Sequence, residues 1–300
     1  MVFKNDCENR IERKKILNLS VSQLEKFARC PFSYFLKYDL KLLERKIYEL
    51  KSIDLGIFLH GILKEFFLFV KENNLIFECE KNLDEYINIA IEKTEFNKNI
   101  FFESAYYKFV LFNVKNILCK SIRAMLKNIY KEKYLPDEFE FEFKNVEFEK
   151  NIFLVGKVDR VDILDLNSEK YLRVIDYKSG EKSFSKKNIE AGLELQLLIY
   201  LKILCDEKKI KPGGAYYFYL NDPIVEIKNK INDEKLEQEI ESKFEMRGAG
   251  TDKIKNLIDI AFESAKNICH EIRSGDVEIC PHDKNSCLYC EYYSVCRKKY

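Results

Sequence analysis

In the stretch VIDYKSGEK, residues 174–182, an acid and a lysine stand two apart, at Asp176 and Lys178. On an extended strand, residues i and i+2 project from one face, so the pair shares an edge with Val174 beneath it. One strand earlier, GKVDRVDIL offers Asp159 and Asp162. Alternation sends these two to opposite faces and cannot choose which of them joins Asp176. Two carboxylates meeting at strand ends make a hard-oxygen site suited to Mg²⁺ or Mn²⁺. A lysine beside them can stabilise charge developing on an attacked phosphorus centre, or help to orient water. That chemistry is phosphodiester hydrolysis. An acid-x-lysine triplet is also an ordinary feature of a solvated strand face, so the surroundings must carry the assignment.

A second constellation lies at the other end of the chain. CLYCEYYSVC places Cys287, Cys290 and Cys296 at C-x2-C-x5-C, a spacing that suits a metal or cluster better than disulfides. A fourth ligand is needed, and two cysteines compete for it: Cys280, seven residues upstream, and Cys30 in FARCPFSYF. Tetrahedral zinc is the alternative to a cluster, with His282 as a possible substitute ligand. Cys7, Cys79, Cys119, Cys205 and Cys269 are scattered and read as ordinary small residues.

The elements that must position these groups follow from periodicity. Residues 1–18 read as a charged lead-in, and a helix then starts at Ser20 or Ser22 as N-cap. Leu24, Phe27 and Ala28 form its buried stripe, and Cys30-Pro31 interrupts it. Asp54–Glu72 reads as a helix apolar on most faces, with His60 and Lys64 on one side. Residues 83–134 are mostly helical and end in a bend near Pro136. FEFEFKNVEFEKNIFLVGKVDRVDIL alternates with the period of strands, as does YLRVIDYKS. LELQLLIYLKIL returns to helix, and GGAYYFYL is a strand after a Pro-Gly-Gly turn. The order is helices, a β-β-β-α-β core, then helices, which is an α/β layered domain.

With a formal net charge of +1, attraction to a polyanion must come from a local patch. No apolar run approaches the ~18 residues of a membrane span, and the N-terminus MVFKNDCENRIERKK lacks a secretory signal. A cytoplasmic chain with no membrane partner is therefore expected. In that reducing setting ten cysteines are not a disulfide framework.

GxxD, a strand ending in hhDYKSG, and a helix carrying QxxxY together resemble the PD-(D/E)XK nuclease superfamily, and its RecB-like branch most. The resemblance selects Asp159 over Asp162 as the first acid, leaving Asp162 a secondary role or an outward charge. It makes Asp176 the second acid and Lys178 the lysine. Gln196 and Tyr200, one turn apart, fall on the helix motif and position Lys178 or the DNA strand. His60 in GIFLHGIL matches the branch's upstream histidine, a further metal ligand, and the backbone carbonyl of Tyr177 assists. CPFSYFLKY, CLYCEYYSVC, GGAYYFYLNDP and FEMRG are similar to AddB-type nuclease domains of AddAB helicase–nucleases and to the related Cas4 nucleases. That likeness implies a [4Fe–4S] cluster on Cys30, Cys287, Cys290 and Cys296, tying the first helix to the last.

The implied fold is a restriction-endonuclease-like mixed sheet flanked by helices, with a helical N-terminal elaboration and a C-terminal iron–sulfur staple. After the lead-in, residues 19–300 form one nuclease domain: helical over 19–135, the catalytic core over 136–225, helical again over 226–300. The implied activity is an Mg²⁺-dependent deoxyribonuclease, exonucleolytic at linear DNA ends in recombinational double-strand break repair, with a helicase–nuclease partner. AddB-type proteins carry a helicase-like region ahead of this domain, to which nothing in this sequence corresponds; a free-standing relative, an excised domain and a decayed gene product are the expectations left open, and with them the coupling to ATP-driven unwinding. Competing readings are a Cas4-like nuclease, a non-catalytic iron–sulfur scaffold that binds DNA, and an electron-transfer protein. For gripping DNA, two basic sets stand out. One is the helical stripe Lys120, Arg123, Lys127 and Lys131, opposite apolar Leu118, Ile122, Met125 and Ile129; the other is Lys182, Lys186 and Lys187 after the active strand. A charged stripe is most often a solvated face, and the second set lies nearer the scissile backbone.

Overall fold

The computed structural model describes residues 16–42, 52–95, 105–178, 185–220, 231–232 and 251–296. Cys7, Lys182 and the FEMRG segment lie outside them. The first described element is a strand, β1 (Leu17–Ser20), which falls inside the expected lead-in. Its alternating Leu17 and Leu19 are buried, while charge dominates only further upstream. Helix α1 (Val21–Arg29) starts on a capping box: Ser20 Oγ accepts the Gln23 N–H and the Gln23 side chain accepts the Ser20 N–H. It ends at Cys30, held extended before Pro31, which opens α2 (Pro31–Tyr34) and a π-helical turn over Phe35–Asp39. Helices α3 (Ser52–Glu72), α4 (Leu83–Lys93) and α5 (Ala105–Glu132) follow.

Three strands come next: β2 (Leu135–Glu149), β3 (Ile152–Leu166) and β4 (Glu169–Lys178), antiparallel in succession. The β3–β4 hairpin closes on Asn167 and Ser168, both with positive φ, the conformation of a tight primed turn. The bend before β2 falls at Lys133 (φ 60°) rather than at Pro136. Pro136 lies within the strand next to a ladder irregularity, where its missing N–H is tolerated. Short α6 (Lys186–Glu190) and α7 (Gln196–Lys208) lead to β5 (Lys211–Tyr219), parallel to β4. The turn into β5 is made by Lys209 in the left-handed conformation, so Pro212, Gly213 and Gly214 are strand residues rather than a turn. At Gly213 a Cβ would meet Tyr134 Oη at 2.3 Å, which is why the strand is bare there. Then come β6 (Ile231–Asn232), α8 (Thr251–Ser274), α9 (Asn285–Leu288) and α10 (Tyr293–Cys296).

The sheet runs β1-β3-β4-β5-β6, with β2 along the opposite edge of β3. Both faces are covered. Leu172 and Val174 of β4 and Ala215 and Tyr217 of β5 pack against α1, α6, α7 and α8. Ile175, Tyr177, Tyr216 and Phe218 pack against α3, α4 and α5. Strands covered twice read as near-continuous apolar runs, so a polar residue on β4 stands out as an exception. Among the described residues no helix is long and apolar enough to cross a membrane.

Candidate active site

The β3–β4 ladder runs from the Leu166–Glu169 pair to the Arg160–Ile175 pair and stops. Past that point the site occupies the strand ends. From β4, alternation turns Asp176 and Lys178 toward α7 and the Tyr177 ring toward α3. Lys178 Nζ lies 2.6 Å from Asp176 Oδ2, and Gln196 Nε2, in the first turn of α7, donates to Asp176 Oδ1 at 3.2 Å. From β3, Asp159 Oδ2 accepts the Tyr177 N–H at 2.8 Å and lies 3.3 Å from His60 Nδ1 of α3. The His60 and Tyr177 rings meet edge to face at 5.4 Å. The two acids thus approach from different faces of the sheet, linked through the Tyr177 backbone.

Glu140 of β2 joins them, a residue that sequence reasoning missed. His60, Glu140 and Asp159 each place a ligand atom within 4.8 Å of the other two, the geometry of a cation site. Glu140 has positive φ (52°) in mid-strand and pairs with Lys157 Nζ. Nothing in FEFEFK sets Glu140 apart from Glu138 or Glu142; only the approach of α3 does. A cavity of about 790 Å³ opens over this cluster and is lined also by Lys64, Lys157, Tyr177 and Lys178.

Charge balance follows from these contacts. Burial alone would lower the His60 pKa, but the hydrogen bond and charge of Asp159, with Asp176 and Glu140 behind it, raise it above the ordinary value. Burial likewise opposes the Lys178 ammonium, and Asp176 and Asp159 outweigh it, so its pKa is raised. Lys178 is a fixed cation at neutral pH.

Asp162 lies elsewhere and is no outward charge. It is fully buried, bonded to Arg160 (Nε–Oδ1 2.5 Å) and to Arg173 (Nε–Oδ2 2.9 Å), while Arg173 reaches Glu132 of α5 at 2.5 Å. Arg160 stacks over Phe67 of α3 at 4.4 Å. Asp159 and Asp162 both engage the α3–α5 layer, Asp159 through His60 and Asp162 through Arg173 and Glu132. The expected separation onto opposite faces does not occur.

Tyr200, one turn beyond Gln196, is buried and braces the first acid's strand. Its ring packs edge-on against Phe143 at 5.1 Å. Gly156 makes room: a Cβ there would stand 2.3 Å from Phe143 and 2.6 Å from Tyr200. Gln196 thus contacts the second acid, and Tyr200 packs beside the strand that bears the first.

A family model described as the PD-(D/E)XK nuclease superfamily matches residues 18–297. The chain belongs to this superfamily. It is 31% identical to the B-type subunit of the ATP-dependent helicase/deoxyribonuclease of Clostridium kluyveri (strain NBRC 12016), over 94% of this chain and 30% of that protein. It is 33% identical to the protein of the same name from Clostridium botulinum (strain Langeland), over 96% of this chain and 31% of the relative. The chain thus spans under a third of the length of these relatives.

In this PD-(D/E)XK chain the cysteine segment docks on α1 and α2. Phe32 N–H donates to Glu278 O at 3.2 Å and His282 N–H to Arg29 O at 2.9 Å. Glu291 accepts from Lys26 at 2.8 Å and Lys37 at 3.2 Å, and Tyr292 Oη donates to Leu42 O at 2.8 Å. The Cys30 thiol is pushed up, chiefly by burial, and feels Cys296. Cys280 itself is exposed. Of the scattered cysteines, Cys79, Cys205 and Cys269 are buried, and Cys119 Sγ lies 3.1 Å from Asp84. On α5, Lys120, Arg123 and Lys127 are exposed opposite buried Leu118, Ile122, Met125 and Ile129. Lys186 and Lys187 open α6 behind the Ser185 cap.

Proposed function

We propose that the chain is the deoxyribonuclease module of a helicase–nuclease, cutting DNA at linear ends during recombinational double-strand break repair. The observation that carries this reading is the cluster of His60, Glu140 and Asp159 beneath an open cavity that Lys178 also lines, with Asp176 held against Lys178. Carboxylate and imidazole donors suit Mg²⁺ or Mn²⁺. Asp159, Asp176, His60 and the Tyr177 carbonyl would hold the ion, with Glu140 as a further donor. A bound divalent cation polarises the phosphodiester and favours attack by water. The chain's own groups do the rest. Lys178, charged and pinned by Asp176, faces the charge that gathers on the phosphoryl oxygens. Gln196 fixes the Asp176 carboxylate, and Tyr200 fixes the strand bearing Asp159. The basic residues Lys186 and Lys187 are candidates for the backbone of the incoming strand.

Cys30, Cys287, Cys290 and Cys296 would hold a [4Fe–4S] cluster. The docking of the cysteine segment on α1 and α2 supports it, because that docking brings Cys296 within electrostatic reach of Cys30. The relatives' names, which describe part of an ATP-dependent helicase/deoxyribonuclease, support a helicase–nuclease partner and a DNA substrate. End-labelled linear single- and double-stranded DNA, incubated with Mg²⁺ and the wild type or Lys178→Ala, tests the reading. Progressive loss from one end by wild type alone is expected. Equal products from both proteins, or none from either, would leave a DNA-binding scaffold as the better account.

A further inference from the structure

Helix α7 begins at the active site without a cap of its own. Its N-cap residue, Leu195, supplies no side-chain hydrogen bond, and the first N–H groups of a helix need acceptors. The acceptor comes from far away in sequence. Glu25, in the middle of α1 and only 8% exposed, turns its Oε1 to the backbone N–H of Leu195 at 2.9 Å and of Gln196 at 3.1 Å. A carboxylate at this end of a helix is held by charged hydrogen bonds and by the helix dipole. The residue so fixed is the one whose side chain donates to Asp176. Glu25 is also close enough to support the Lys178 charge. On the same helix Lys26 is gripped by Glu291 of the cysteine segment, and Cys30 ends it.

We propose that Glu25 is a positioning residue for cleavage: it caps α7 across the fold and so sets Gln196 against Asp176. The inference rests on the nuclease reading above. Through α1 it ties the orientation of the second acid to the seating of the cysteine segment.

The test compares Glu25→Ala, Glu25→Asp and Glu25→Gln with wild type in the full chain. Glutamine keeps the reach and an acceptor oxygen, while aspartate keeps the charge but falls one methylene short. Glu25→Ala and Glu25→Asp should lower kcat about 10- to 100-fold, the usual size for residues that orient ligands, with KM for end-labelled DNA little changed. Glu25→Gln should recover most of the rate. In a Gln196→Ala background, Glu25→Ala should cost little more, since both act through one contact. Mn²⁺ binding without DNA, followed by electron paramagnetic resonance, should weaken in step with kcat. The proposal is overturned if the variants lose thermal stability while kcat and Mn²⁺ binding hold, or if the Glu25 and Gln196 losses multiply. Should wild type cut no DNA, the nuclease reading falls, and Mn²⁺ binding still judges the Glu25–Asp176 link because it needs no turnover.

Discussion

A single lysine and its acid decide what this site can do. Lys178 is held as a cation by Asp176 at 2.6 Å and has no role as a base at neutral pH. Removing it by Lys178→Ala should cut DNA hydrolysis by about 10²–10³-fold, as for loss of one transition-state donor, without a matching fall in thermal midpoint. His60 gives a pH signature. Its pKa is raised above the ordinary ~6.5, chiefly by Asp159 acting against burial. A raised histidine contributes stability that is full below ~6.5 and is lost as pH climbs through the folded value. Metal needs the neutral ring, so proton and cation compete. Calorimetric Mg²⁺ affinity should therefore rise with pH from ~6.5 upward, while metal-free stability falls over the same window. His60→Gln should flatten both trends.

At the level of elements, the strands that carry the acids are stiffened from behind. Arg160, Asp162, Arg173 and Glu132 form a buried set of two cations and two anions, each charge answered within hydrogen-bond distance. Taking one partner away leaves an uncompensated buried charge, so Asp162→Asn should cost about 3–5 kcal/mol of stability by denaturant unfolding. Gly156 is the other fixed point. Gly156→Ala would push a methyl into the Phe143 and Tyr200 rings, and nuclease activity should drop together with stability, because those rings pack against the strand that bears Asp159. Alternation in FEFEFKNVEFEKNIFLVGKVDRVDIL makes the hairpin legible, since period two has one structural meaning. That Asp159 and Asp162 both turn to the α3–α5 layer was not legible, because their partners His60, Arg173 and Glu132 are brought up by long-range packing.

Across the whole molecule, the last residues close on the first helix through Glu291, Tyr292 and the cysteines. A cluster there would constrain nearly the entire chain, worth about 3–5 kcal/mol in chain entropy. Cys287→Ser should abolish bound iron, counted by atomic absorption after anaerobic purification, and lower the thermal midpoint, whereas Cys280→Ser should do neither.

The sequence by itself determined the main helices and the long strands, the acid-x-lysine strand and the spaced cysteines, because strand alternation, helix spacing and cysteine intervals are local properties. Only the tertiary structure decided that Asp162 is a buried brace, that Glu140 faces His60 and Asp159, and that Glu25 caps a helix 170 residues away. Those roles depend on which side chains long-range packing brings within 3 or 4 Å of one another, and hydrogen bonds and ion pairs act only at that range.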